Sequence, residues 1–234
     1  MSDEHRKSLT ALVTGASRGI GRALVIELTR RGVSVFATSR DTSLLEALQA
    51  ETGCAIASHD LLHPENAITA YREAVACFSS APDVLVNNAG FNTRKTPITE
   101  ATLEDFELQF AVNLRAPFLL CREAGRDMSQ RGSGHIVNIV STCALFSNET
   151  MGVYTTMKGG LRDLTKILAK ELRPAGVKVT AVFPGGVDTE FRAQARPDYM
   201  RPESAAQLIA DAIFAPDDVA VHDLVFRPMV ESNF

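Results

Sequence analysis

The sequence predicts a doubly wound α/β protein: one sheet of about seven parallel strands, helices on both faces, and a single domain spanning residues 1–234. Two observations carry this. Short runs rich in Val, Ile, Leu and Ala alternate with segments of helical periodicity from end to end, and such alternation joins parallel strands through right-handed crossovers. A cluster of glycines also interrupts the chain between the first strand and the first helix, where the backbone has to turn sharply.

Residues 9–14 are apolar and partly β-branched and stop at Gly15, as a strand buried on both faces does. Residues 20–31 place Ile20, Ala23, Leu24 and Leu28 at helical spacing and end at Gly32. A strand over 33–38, a helix over 41–52 and a strand over 54–58 follow. Pro64 suits the first turn of a helix reaching residue 78, and 83–87 is a fourth strand. After a polar loop, a helical pattern covers 103–131, which Pro117 either kinks or divides. Next come a strand over 134–141, a helix over 154–172 and a strand over 177–183, after which Pro184, Gly185 and Gly186 end regular structure. A helix over 203–214 and a strand over 222–227 complete the pattern, with no internal repeat.

Hydrophobic residues make up 45% of the chain and charged residues 22%, the balance of a globular protein with a substantial core. A net charge of −4 with scattered basic residues offers neither a nucleic-acid surface nor a polybasic membrane patch. No stretch has the length and apolarity of a membrane span, and the first thirty residues lack a secretory-signal pattern, so a cytoplasmic protein is expected. Cys54, Cys77, Cys121 and Cys143 stand far apart, which suggests reduced thiols and neither a disulfide frame nor a metal site. The mixed charges of Asp3, Glu4, His5, Arg6 and Lys7 suggest a flexible N-terminus over residues 1–7.

In doubly wound sheets ligands bind beyond the carboxyl ends of the strands. Residues 14–21, TGASRGIG, lie at such an end, with Gly15, Gly19 and Gly21 spaced G-x-x-x-G-x-G. Glycine lets the main chain approach a ligand, and the helix N-terminus that follows presents unpaired N–H groups to a pyrophosphate. A plain tight turn is the other reading, and the position at a strand-to-helix junction favours dinucleotide binding. Later in the chain, Tyr154 and Lys158 stand one helical turn apart, so the ammonium can favour the phenolate and bring the phenol into proton-transfer range. Alone, that spacing is common by chance.

Several motifs in order, namely residues 14–21, Asp60, the run Asn87-Asn88-Ala89-Gly90, Asn113, Ser141, Tyr154 with Lys158, and Pro184-Gly185 with Thr189, resemble the short-chain dehydrogenase/reductase family. The resemblance is to NADP(H)-preferring carbonyl reductases such as the 3-oxoacyl-carrier-protein reductases, and it implies a Rossmann fold. It also implies a catalytic tetrad. Tyr154 would be the general acid in carbonyl reduction, and Lys158 would tune it and bind the nicotinamide ribose. Ser141 would hold the substrate oxygen, and Asn113 would anchor a proton-supplying water. For the cofactor, the resemblance implies contacts from Gly15, Ser17, Arg18, Gly19, Ile20 and Gly21, and from Ser39 and Arg40 after the second strand. Asp60 and Leu61 would meet the adenine, Asn87, Ala89 and Gly90 its ribose, and Pro184, Gly185, Val187 and Thr189 the nicotinamide side.

At the position where the family's NAD-selecting members carry an acid stands Ser39, followed by Arg40, and two arginines with a hydroxyl suit a 2′-phosphate. NADP(H) is therefore the expected cofactor, with Asp41 read as a helix cap. The substrate pocket is assigned to Asn92, Cys143, Leu145, Phe146, Met151, Gly185, Gly186 and Phe191, a mostly apolar wall suited to a small carbonyl or alcohol. Arg192, Arg196 and Arg201 either greet an acidic carrier or are solvated. The ending at residues 224–229 resembles that of ketone- and hydroxy-acid-specific branches more than that of fatty-acid reductases. A homodimer or homotetramer is the family's usual assembly. The competing expectation is a non-catalytic NADP(H)-binding redox sensor with the same fold.

Overall fold

The computed structural model describes residues 9–191 and 195–231, so the flexible N-terminus expected over residues 1–7, and Arg192, lie outside the described residues. The strands among them are β1 (Thr10–Thr14), β2 (Ser34–Ser39), β3 (Ala55–Ser58), β4 (Val84–Asn87), β5 (Gly134–Ile139), β6 (Val177–Pro184) and β7 (Asp223–Phe226). They form one sheet in the order β3-β2-β1-β4-β5-β6-β7, every pair parallel. The chain builds outward from β1 to β3, then returns to pair β4 with β1, so the switch point lies between the carboxyl ends of β1 and β4.

Connecting helices are α1 (Gly19–Arg30), α2 (Thr42–Thr52), α3 (Pro64–Phe78), α4 (Leu103–Phe110), α5 (Ala116–Arg131), α6 (Cys143–Phe146), α7 (Gly152–Leu172) and α8 (Pro202–Ile213). One core lies between the sheet and α1, α2 and α8, where Leu24, Leu28, Leu45, Leu48 and Ile209 are buried. The other lies under α3, α5 and α7 and buries Tyr71, Leu120, Ala124 and Met128. Strands covered on both faces cannot alternate apolar with polar, which is why the sequence shows unbroken apolar runs. As expected, Asp41 caps α2, its Oδ1 accepting from Leu44 N at 3.2 Å.

The predicted helix over 103–131 is interrupted just before Pro117. It passes from α4 to α5 through a π-helical turn, Ala111–Arg115. Proline has no N–H to give the carbonyl four residues back, which here belongs to Asn113, and the widened turn absorbs the missing bond. β5 stops at Ile139 rather than residue 141, yet Val140 N donates to Val182 O (2.7 Å) and Thr142 N to Pro184 O (3.1 Å), so Ser141 stays alongside β6. The short helix α6 is not apparent in the sequence pattern, and β6 runs through Pro184. Among the described residues no helix is long and apolar enough to cross a membrane.

Candidate active site

A cleft of about 530 Å3 runs along the carboxyl ends of the strands. It begins at the glycine loop. Gly15 has φ +63°, and a Cβ there would lie 2.7 Å from Ala89 Cα, so only glycine lets the loop lie this close to the chain after β4. Asn88 ties the two together: its Nδ2 donates to Thr14 O (2.9 Å) and Gly15 O (3.1 Å), and the N–H groups of Asn88 and Ala89 both donate to Thr14 Oγ1 at 3.1 Å. Arg18, the N-cap of α1, makes no side-chain hydrogen bond to the first turn, whose N–H end therefore opens on the cleft beside Gly19 and Ile20. This uncapped, backbone-lined cradle fits a dinucleotide pyrophosphate.

At the end of β2, Ser39 Oγ accepts from Asp41 N at 3.3 Å, Arg40 is exposed on the rim, and Arg18 Nη2 pairs with Asp41 Oδ2 at 2.7 Å. After β3, Asp60 and Leu61 line the cleft, with Asp60 Oδ1 accepting from Leu62 N. Ser17, Ala89, Gly90, Pro184, Gly185, Val187 and Thr189 line it as well.

Ser141, Tyr154 and Lys158 converge at the other end. Tyr154 and Lys158 project from the first turns of α7, the ammonium Nζ 5.8 Å from the phenol ring centroid. Lys158 is 3% exposed and donates to Ile139 O at 2.8 Å. Burial pushes its ammonium down to about 8. Ser141 Oγ accepts from Cys143 N at 3.2 Å. Asn113, fully buried in the π turn, holds the loop after β4: its Oδ1 accepts from Phe91 N (3.2 Å) and its Nδ2 donates to Phe91 O (2.8 Å) and Gln109 O (3.0 Å). A Cβ on Gly90 would lie 2.8 Å from Asn113 Oδ1 and 3.2 Å from Lys158 Nζ, so both groups border the space that Gly90 leaves.

Some predicted positions lie elsewhere. Asn87, the last residue of β4, points into the core, donating to Asn138 Oδ1 (2.8 Å) and Cys121 Sγ (3.3 Å), and its neighbour Asn88 is the one that turns into the cleft. Gly21 sits behind the loop, its Cβ position taken by Gly15 O and Asn88 Nδ2, each at 2.3 Å. Leu145 is exposed, because α6 buries Cys143 and turns Leu145 outward. Asn92, Cys143, Met151, Gly186 and Phe191 do line the cleft, and Tyr154 meets Phe191 with ring centroids 5.7 Å apart.

The predicted wall omitted two charged residues. Arg227 and Glu231, just past β7, line the cleft and pair through Nε and Oε2 at 2.9 Å, with the guanidinium 5.0 Å from the Phe146 ring centroid. Arg227 is the first residue beyond a strand's carboxyl end, and the strand-end rule applied to β7 could have found it.

A glycine cradle at the switch point, an uncapped helix end and a buried Tyr–Lys pair define a nucleotide-dependent oxidoreductase of the doubly wound class. The chain belongs to the short chain dehydrogenase family, whose model matches residues 9–200. It is 34% identical to the D-threitol dehydrogenase of Mycolicibacterium smegmatis, covering 90% of this chain and 82% of that one. Among solved structures it is similar to the closed form of serine dehydrogenase complexed with NADP+ (TM-score 0.88, 26% identity, 96% of each chain). It is also similar to a 3-ketoacyl-(acyl-carrier-protein) reductase from Brucella melitensis complexed with NADH (TM-score 0.85, 25% identity, 94% and 97%).

Proposed function

We propose that this oxidoreductase transfers hydride between NADP(H) and a small carbonyl or secondary-alcohol substrate, with Asn113, Ser141, Tyr154 and Lys158 as its catalytic tetrad. The observation that carries this reading is the convergence of Tyr154, Lys158 and Ser141 at one end of a cleft whose other end is a pyrophosphate cradle. When bound, a reduced nicotinamide supplies the hydride that the carbonyl carbon receives. Ser141 Oγ–H holds the carbonyl oxygen, and the Tyr154 phenol gives that oxygen its proton. The Lys158 cation stabilises the phenolate that remains. Asn113 holds Phe91, and with it the main chain beside Gly90, in register with Lys158. In alcohol oxidation each step reverses.

Preference for NADP(H) is supported by Arg18, Arg40 and Ser39 gathered where β2 ends, with no acid on β2 itself. The solved relatives include one with NADP+ and one with NADH. Self-association as a dimer or tetramer is supported by Leu103, Phe106, Phe110 and Phe118 exposed along α4 and α5, with Ile167 exposed on α7.

The test is a screen of NADPH and NADH oxidation over ketones, aldehydes and 3-oxoacyl thioesters, with Tyr154→Phe alongside. The variant is expected to bind NADPH and lose turnover. A variant as active as the parent refutes the tetrad, and equal rates with the two nucleotides refute the roles given to Arg18 and Arg40.

A further inference from the structure

The pair at Arg227 and Glu231 has no part in the tetrad, and its place in the cleft is specific. The two side chains are only 8% and 16% exposed. They stand at the Ser141 end: Glu231 Oε1 accepts from Gly186 N at 3.1 Å, and Pro184 O, at the start of the same turn, accepts from Thr142 N. The adenosine end, with Arg40 and Asp60, belongs to strands on the opposite side of the switch point.

Taking two charges out of water beside a cavity contributes little net stability compared with apolar residues of similar volume. The apolar part of this wall, Met151, Tyr154 and Phe191, would accept such residues readily. A carboxylate can accept about four hydrogen bonds, and those described for Glu231, from Gly186 N and Arg227 Nε, use two. A ligand donor is therefore the natural complement of the remaining capacity. A carboxylate on the substrate would meet the charge of Glu231. An alkyl group would strip water from it and return no hydrogen bond.

We propose that Glu231 reads a hydroxyl of the substrate, with Arg227 as the residue that positions it, so that the enzyme selects hydroxylated carbonyl compounds and the corresponding polyols over alkyl ketones and 2-oxo acids. This rests on the oxidoreductase reading above and names its substrate class.

The test compares kcat/KM with NADPH for two matched pairs, hydroxyacetone against butanone and dihydroxyacetone against diethyl ketone, in which OH replaces CH3, with pyruvate as the anionic comparison. The parent enzyme is expected to prefer the hydroxylated member of at least one pair by about 100-fold or more. Glu231→Leu should collapse that ratio. Glu231→Gln, which keeps an acceptor for Gly186 N, should reduce it without the risk of a disturbed fold, and the NADPH Kd of each variant is measured in parallel. Equal rates within both pairs, a preference for pyruvate, or a ratio unchanged in both variants overturns the proposal. A weakened NADPH Kd with an unchanged ratio overturns it too, because the pair then serves only the turn at Gly186. Absence of any Tyr154-dependent turnover is a failure of the oxidoreductase reading itself, whereas turnover of alkyl ketones with no gain from a hydroxyl is a failure of this proposal alone.

Discussion

Asp41 holds Arg18 at 2.7 Å across the end of β2, where the ribose of a bound nucleotide would lie, while its other oxygen caps α2. Any 2′-phosphate that uses Arg18 has to compete with this carboxylate. Arg18 is 56% exposed, so the pair contributes about 0–1 kcal/mol. Asp41→Asn keeps the cap and removes the competitor. The expected outcome is a gain of up to about fivefold in NADPH affinity with little change for NADH, measured by fluorescence titration.

Lys158 sets a pH limit. Its ammonium loses its proton near pH 8, so kcat for reduction should fall as pH rises through about 8. The sign for stability is opposite. The unfolded chain keeps this proton up to about 10.5, so between about 8 and 10.5 it binds more protons than the folded one, and stability rises with pH in that window. Urea midpoints of the nucleotide-free parent should therefore gain on those of Lys158→Met between pH 8 and 10; parallel curves would contradict the burial of the ammonium.

His135 acts at the acid end. Buried between β5 and β6, with Nε2 2.7 Å from Thr180 Oγ1, its imidazole is pushed down to about 4, mainly by burial. The unfolded side chain takes up its proton from about 6.5 downward, so the stability this neutral imidazole contributes is present above 6.5 and lost as pH falls toward 4. The loss amounts to roughly 3 kcal/mol at most. His135→Gln should flatten the dependence of the denaturation midpoint on pH between 4 and 6.5.

Asn113 couples the π turn to the loop after β4. Asn113→Leu removes three hydrogen bonds and leaves Phe91 N–H and C=O without their partner, at a cost of about 2–4 kcal/mol. Thermal denaturation should show the loss, and kcat should fall in a variant that still binds NADPH. A fully active Asn113→Leu would remove Asn113 from the tetrad.

Much of this was readable from the chain alone, for identifiable reasons. Buried parallel strands announce themselves as apolar runs, and a Tyr and a Lys four apart on a helix share a face whatever surrounds them. Asn87 and Asn88 show where such reading stops: the end of β4 at residue 87 was legible, but at the end of a strand one residue reverses which way a side chain points, and the pattern does not say which of the two asparagines faces the cleft. Pro117 signalled a disturbed helix, but only the backbone hydrogen bonding, with Ala116 N donating to Ala111 O five residues back, shows it to be a π turn. The pairs Arg18–Asp41 and Arg227–Glu231 depend on how loops fold back, which leaves no periodic trace.

The grip of Glu231 on Gly186 spans 45 residues of sequence and closes near the end of the described chain. During synthesis, the glycine loop and the strands that hold it emerge long before this closing contact. By then Asn92, Cys143, Met151 and Tyr154, which line the same cleft, have emerged as well. The turn that carries Gly185, Gly186 and Val187 is therefore fastened from the far end of the described chain, and a truncation just after β7 would take away the carboxylate that Gly186 N donates to.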